Sequence, residues 1–341
     1  MELIEDYFDA KKSGSRPITK RTEVTYRDHL RPFAEYWPNR VEDHNHVISR
    51  ATLDDFDKWL RTEYKNSRGG SPAENTISHC LIVLKQIFEW LYQSDCTDGV
   101  AIQKWVPAAS LVQPDVYYPD TEALQKLIDT IAQSDTLYRL RDMAAVTFAL
   151  STGARASEIA FALPKNVTFV DTQIDDLRLS QQHRGYIYLE RVKGDMDGRK
   201  NKGRYVVFDS KAGLLLKCWL KNYTPAPDQP IFRMQHGHGF YAMIARYIKL
   251  MGDEAGEAGA LNVQSLRRAF SDNWDEELGM EKRVPLKQQM GHSMKGDVTQ
   301  EHYINPKNKK RMAKQLLEVH VSPLSKLSID WTRFPVIRDT K

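Results

Sequence analysis

A chain of 341 residues with 41% hydrophobic and 28% charged side chains has enough apolar material for two cores and too much for a disordered protein. Its formal net charge of +4 excludes a strongly basic whole-chain polyanion binder, so any nucleic-acid role must rest on local clusters of Lys and Arg. The acidic start Met1-Glu-Leu-Ile-Glu-Asp6 lacks the pattern of a secretory leader and no apolar run reaches bilayer length, so a cytoplasmic protein with no membrane partner is expected.

The first hundred residues carry helical periodicity only. Val24, Tyr26, Leu30, Phe33 and Tyr36-Trp37 make one stripe; Thr52 with Asp55 caps a second helix through Phe56, Trp59 and Leu60. A third is expected to start at Ser71-Pro72 and run through Ile77, Leu81, Leu84, Phe88 and Leu91. Lys11, Lys12, Arg16, Lys20, Arg21, Arg27 and Arg31 lie between the stripes, where charge runs most often form a solvated face. From Trp105 to Pro119 the period lapses at Pro107, Pro114 and Pro119. This divides the chain into a helical domain over 1–106, a linker over 107–119, a second domain over 120–320 and an extended or mobile tail over 321–341.

In the second domain Asp120-Thr121 caps a helix through Leu124, Leu127 and Ile131, and another runs from Leu140 through Phe148 to a stop at Gly153. Leu177-Arg-Leu179, Tyr186–Val192 and Arg204–Phe208 read as strands of a small antiparallel sheet. Helices follow at Leu214–Leu220, Tyr241–Met251, Ser265–Leu278 and, basic and amphipathic, at Lys307–Val319. Cys80, Cys96 and Cys218 form no CxxC pair and read as reduced thiols. His236 and His238 in a glycine loop, with no neighbouring Cys or paired carboxylates, are too weak a ligand set for a metal site.

Chemistry concentrates in three places. Thr152-Gly-Ala-Arg155-Ala-Ser-Glu158 sets an arginine after a glycine stop with a carboxylate three residues on, the spacing at which helix neighbours touch. Leu266-Arg267-Arg268 brings a second arginine at the start of a helix. Met290-Gly-His292-Ser leads to Thr299 and Tyr303. Planar, permanently charged guanidiniums match phosphate oxygens, and a tyrosine whose free pKa is near 10 needs such cations before it can act as a nucleophile.

In this order, Thr-Gly-Ala-Arg-x-x-Glu, a lysine-bearing β hairpin, Leu-Arg-Arg, Met-Gly-His-Ser and a late Tyr, the chain resembles the tyrosine recombinase (phage integrase) family over nearly its whole length. The resemblance implies a mainly α fold with a small antiparallel β-sheet: an all-helical N-terminal core-binding domain and a mixed α/β catalytic domain. It makes Arg155 and Arg267 the catalytic arginines, Glu158 their support, His292 the position filled by His or Trp, and Tyr303 the nucleophile that forms a 3′-phosphotyrosine without metal or nucleotide cofactor. The family's usual histidine three residues before the second arginine is Gln264 here, which can donate a hydrogen bond but not exchange a proton. Lys193 is the first choice for the hairpin lysine that protonates the leaving 5′-oxygen, with Lys200 and Lys202 as alternates.

The implied partner is double-stranded DNA carrying specific recombination sites, bound by a homotetramer, with accessory DNA-bending proteins as further candidates. Lys20, Arg21, Arg27, Arg199, Lys200, Lys202, Arg204 and Arg268 are the residues expected to grip its backbone. In that family the segment after the tyrosine is exchanged between subunits, so Lys307–Val319 is expected to dock on a neighbouring protomer. A type IB topoisomerase-like or telomere-resolving enzyme, and a DNA-binding architectural protein that has lost cleavage, are the alternatives.

Overall fold

A computed structural model of the chain describes residues 2–14, 17–40, 48–67, 69–112, 116–170, 183–190, 203–234, 237–252, 261–279, 283–291 and 306–334. The chain divides into two compact units, Met1–Asp115 and Val116–Lys341.

The first unit is helical: α1 (Glu2–Ser13), α2 (Lys20–Arg40), α3 (Arg50–Thr62) and α4 (Glu74–Gln93). Its core gathers Tyr7 and Phe8 of α1, Leu30 and Tyr36 of α2, Phe56 and Leu60 of α3, and most of the apolar residues of α4. Helix α1 has no long apolar stripe to announce it, yet Tyr7 and Phe8 are fully buried. Two helix starts differ from expectation. Ser49, not Thr52, caps α3, its hydroxyl accepting from the Thr52 N–H at 3.1 Å, so Thr52 occupies the third helical position instead. Helix α4 starts after Ala73 with no side-chain cap, and Ser71-Pro72 belongs to the extended approach to it.

The second unit begins with α5 (Thr121–Gln133), capped by Asp120 as expected, and α6 (Arg139–Thr152). Helix α6 is buried from Asp142 to its end, the central element of the larger core. Then come α7 (Ala156–Ala160) and a three-stranded antiparallel sheet of β1 (Val167–Phe169), β2 (Gly185–Leu189) and β3 (Arg204–Phe208), in that spatial order. Strand β1 is only three residues long, too short to show alternation in sequence. The expected strand at 177–179 lies outside the described residues.

Period-two alternation divides the sheet's two faces. Ile187, Leu189, Val206 and Phe208 enter the main core, while Tyr186 and Val207 face the opposite way. Helices α8 (Ser210–Tyr223), α9 (Gly237–Leu250), α10 (Val263–Leu278), α11 (Arg283–Met290) and α12 (Pro306–Val319) complete the unit. The chain is thus mainly helical with one small antiparallel sheet.

Two expectations are corrected here. Helix α12 folds back on its own sheet, where Ala313, Leu316 and Leu317 cover Tyr186 and Val207, instead of presenting that apolar face to a neighbouring protomer. Residues 321–334 are not a loose tail either. Leu324, Leu327, Ile329 and Phe334 are buried in the main core, Lys211 Nζ donates to the Leu324 and Leu327 carbonyls at 2.7 and 2.5 Å, and Gln125 bonds Ser328 through both its amide atoms. Their apolar residues follow no regular period because 3₁₀ turns and extended links, not one helix or strand, carry them inward.

Candidate active site

The site is built on two glycine turns. Helix α6 ends at Gly153 with φ of 60°, a left-handed cap that leaves its carbonyl free to accept. A Cβ at Gly153 would lie 2.5 Å from Phe270 and 2.7 Å from the Met290 sulfur, so only glycine fits on both counts. Arg267 of α10 donates from Nη1 to that carbonyl and from Nη2 to the Met290 carbonyl, the latter at 2.5 Å. One buried guanidinium thereby joins the ends of α6 and α11.

The chain turns at once into α7, with Arg155 at its N-cap. Glu158, fully buried, accepts from the Arg155 N–H at 2.7 Å and from Arg155 Nη1 at 3.0 Å. The carboxylate therefore caps the helix and orients the arginine together. Its second oxygen also accepts from Nη2 of Arg204, the first residue of β3, at 2.7 Å. Arg155 reaches across to the Gly291 carbonyl at 3.2 Å. Gly291 is the second left-handed turn, with φ of 63°, and a Cβ there would lie 2.6 Å from Arg204 Nε. Arg155 and Arg204 thus converge on one carboxylate, while Arg155 and Arg267 hold the carbonyls of Gly291 and Met290.

Arg155 and Arg204 share the one Glu158 carboxylate in a partly desolvated place. Burial, then the Arg155 and Arg204 charges, push Arg267 down to about 9, with Glu158 opposing. Burial likewise lowers Arg204 to about 10, with Glu158 opposing and Arg155 adding to the fall. Both stay protonated at neutral pH, so the fold carries the cost of holding cations together until an anion offsets it.

Of the expected site residues, Arg155, Glu158 and Arg267 come together. Gln264 lies exposed in the first turn of α10, one turn before Arg267. His292 and Tyr303 lie outside the described residues, as do Lys193, Arg199, Lys200 and Lys202. Gln289, which nothing in the sequence singled out, is fully buried; it donates to the Thr152 and Val207 carbonyls and accepts from the Val207 N–H, tying α11 to α6 and β3. Of two further tyrosines on α9, Tyr247 is buried, donates to Asp142 at 2.8 Å and is pushed up by burial, all of which favour the neutral phenol over a nucleophile. Tyr241 is exposed on α9, away from that lock.

Three of the expected DNA-gripping residues have other work. Arg27 is occupied by Glu23 and Glu5 at 2.6 to 3.1 Å and lies 4.3 Å over the Phe8 ring, a strut between α1 and α2 that commits most of its N–H donors. Arg204 is not on the outside of a hairpin but inside the arginine cluster. Arg268 is half-buried and donates to the Tyr117 carbonyl at 3.4 Å. Lys20 is exposed in the first turn of α2, which Arg21 shares. Among the described residues no group of His, Cys, Asp and Glu could hold a metal ion, and no helix is long and apolar enough to cross a membrane.

No family profile matches the chain, and no curated protein matches it in sequence. Its fold is similar to solved structures of recombinases. XerH site-specific recombinase bound to difH substrate is 17% identical, with a TM-score of 0.56 over 86% of this chain and 78% of that one. A lambda integrase tetramer bound to a Holliday junction is 12% identical, with a TM-score of 0.56 over 87% and 78%. The Tn1549 transposon integrase (aa 82-397) in complex with circular intermediate DNA is 16% identical, with a TM-score of 0.56 over 93% and 98%. The chain has the fold of the tyrosine recombinases.

Proposed function

We propose that this chain is a site-specific DNA recombinase that cleaves and rejoins DNA through a phosphotyrosyl link to Tyr303. The observation that carries the reading is the cluster of Arg155, Arg204 and Arg267 beside Glu158, in a fold shared with recombinases bound to DNA. A scissile phosphodiester is the anion such a cluster suits. Arg155 and Arg267 stabilise the charge that builds on the non-bridging oxygens as Tyr303 attacks, and energy held in the phosphotyrosine drives rejoining. The Met290-Gly291 turn, gripped by both arginines, fixes where the segment carrying His292 and Tyr303 departs. A hairpin lysine, Lys193 first and Lys200 or Lys202 otherwise, protonates the leaving 5′-oxygen.

Double-stranded DNA with paired recombination sites is the proposed substrate and a homotetramer the working assembly, as in the lambda integrase tetramer on its junction. Trapping on a nicked duplex tests the chemistry. Wild-type protein should yield a denaturation-resistant protein–DNA adduct and Tyr303→Phe none, at unchanged DNA affinity. An adduct of wild-type yield in the Phe variant would place the nucleophile elsewhere, and relaxation without exchange between two sites would favour the topoisomerase-like reading.

A further inference from the structure

Arg204 differs from the other two arginines in what it leaves unpaired. Its Nη2 is held by Glu158, but Nε and Nη1 are shut away from solvent with no hydrogen-bond partner. The side chain is 11% exposed. Buried donors are nearly always paired in folded proteins, because an unpaired one forfeits its hydration with nothing in return. Here the neighbours make matters worse, since Arg155 and Arg267 add like charge and Glu158 is already shared with Arg155. Gly291 packs against the guanidinium, where a Cβ would lie 2.6 Å from Nε and 2.7 Å from Nη1, so no larger residue fits beside it. Held by Glu158 at Nη2 alone, the guanidinium has N–H donors left over that an anionic oxygen can take.

We propose that Arg204 is a third phosphate-binding arginine of the site, giving a non-bridging oxygen of the scissile linkage an N–H that Glu158 does not hold once DNA is seated. This rests on the reading of the cluster as a DNA phosphate site. It moves Arg204 from a grip on flanking backbone to contact with the reacting group. It also gives the start of β3 a reason to carry arginine and not lysine, because a compact ammonium cannot hold Glu158 and present further donors in the same rigid plane.

The test uses the full chain and nicked duplexes that differ only at the scissile linkage, one a phosphodiester and one an uncharged methylphosphonate. On phosphodiester DNA, Arg204→Gln should slow single-turnover cleavage by roughly 10²-fold, the loss seen when one transition-state donor is removed. On the methylphosphonate much of that difference should vanish, because the charged oxygen that Arg204 binds is gone. An equal penalty on both substrates means that Arg204 acts only by bracing Glu158 and overturns the proposal, as does cleavage at the wild-type rate. Arg204→Lys keeps the charge and serves if the Gln variant does not fold; it should lose at least about tenfold on phosphodiester DNA alone. A second readout stands apart from cleavage: at matched ionic strength, inorganic phosphate should raise the melting temperature of wild type more than that of either variant. Equal shifts count against the proposal even if the wild type forms no adduct, and absence of an adduct alone would refute the recombinase reading without touching phosphate binding.

Discussion

At the scale of single residues the site depends on one glycine the chain cannot easily replace and on one position where it departs from its family resemblance. Gly153→Ala would place a methyl group 2.5 Å from Phe270 at a positive φ, so either α10 or the α6 cap must move. A loss of about 2 kcal/mol or more is expected from strain and overpacking together, measurable as a lowered urea midpoint. Cleavage should fall further than stability explains, because the displaced carbonyl is the one that holds Arg267. Gln264 is exposed and one turn from Arg267, so on the proposed reading its amide donates to a phosphate oxygen. Gln264→Ala should slow cleavage by roughly 10²-fold while Gln264→His stays active; an alanine variant at wild-type rate would show that this position does not contact the phosphate. Arg155 and Glu158 were legible because three residues of helix bring them together. Arg204 was not: it meets Glu158 across 46 residues of chain, a contact that only folding of the sheet against α7 creates. Gln289 was hidden for a related reason, since a buried glutamine is recognisable only once the carbonyls it satisfies are in place.

At the scale of elements, α12 is held at its far end by His320. The ring sits against Phe270 at 6.0 Å, and Nε2 bonds the Ser151 carbonyl at 2.7 Å, so that nitrogen carries the proton of the neutral ring. Burial pushes His320 below its ordinary value, with Asp209 and the Ser151 bond opposing and Arg184 assisting. Because the folded value lies below the unfolded one of about 6.5, the unfolded chain binds more protons as pH falls through 6.5, and stability is present above that pH and lost below it. The urea midpoint should drop between pH 7.5 and 5.5, and His320→Phe should remove part of that drop; an identical slope in the variant would show that His320 does not titrate on unfolding. The same element explains a misreading of the sequence. An amphipathic helix announces that it needs a partner but not which one, and the face of β2 and β3 that receives Leu316 and Leu317 is visible only in the alternation of Tyr186 against Ile187. The segment after it, with no period at all, was read as a tail for want of any local signal.

At the scale of the molecule, each of the two units has a core of its own, one around α4 and one around α6. The division was legible because prolines interrupt a continuous helical pattern, and the sheet because two of its strands alternate cleanly. What each unit gives to the proposed DNA binding was less so, since a basic residue reads the same whether it meets a phosphate or, like Arg27, a carboxylate. Binding by two joined units makes the second contact intramolecular, so residues 116–341 alone should fold and retain the arginine cluster but bind DNA far more weakly than the full chain. The difference should depend on salt in a countable way. Each phosphate contact made by residues 1–115 steepens the fall of log K with log salt by about 0.9. Titrating both proteins onto one duplex across a salt series measures that number directly. A steeper slope for the full chain would assign phosphate contacts to the first unit, with Lys20 the first to replace by alanine; parallel slopes would confine phosphate contact to the second unit and leave α2's basic residues as a solvated face.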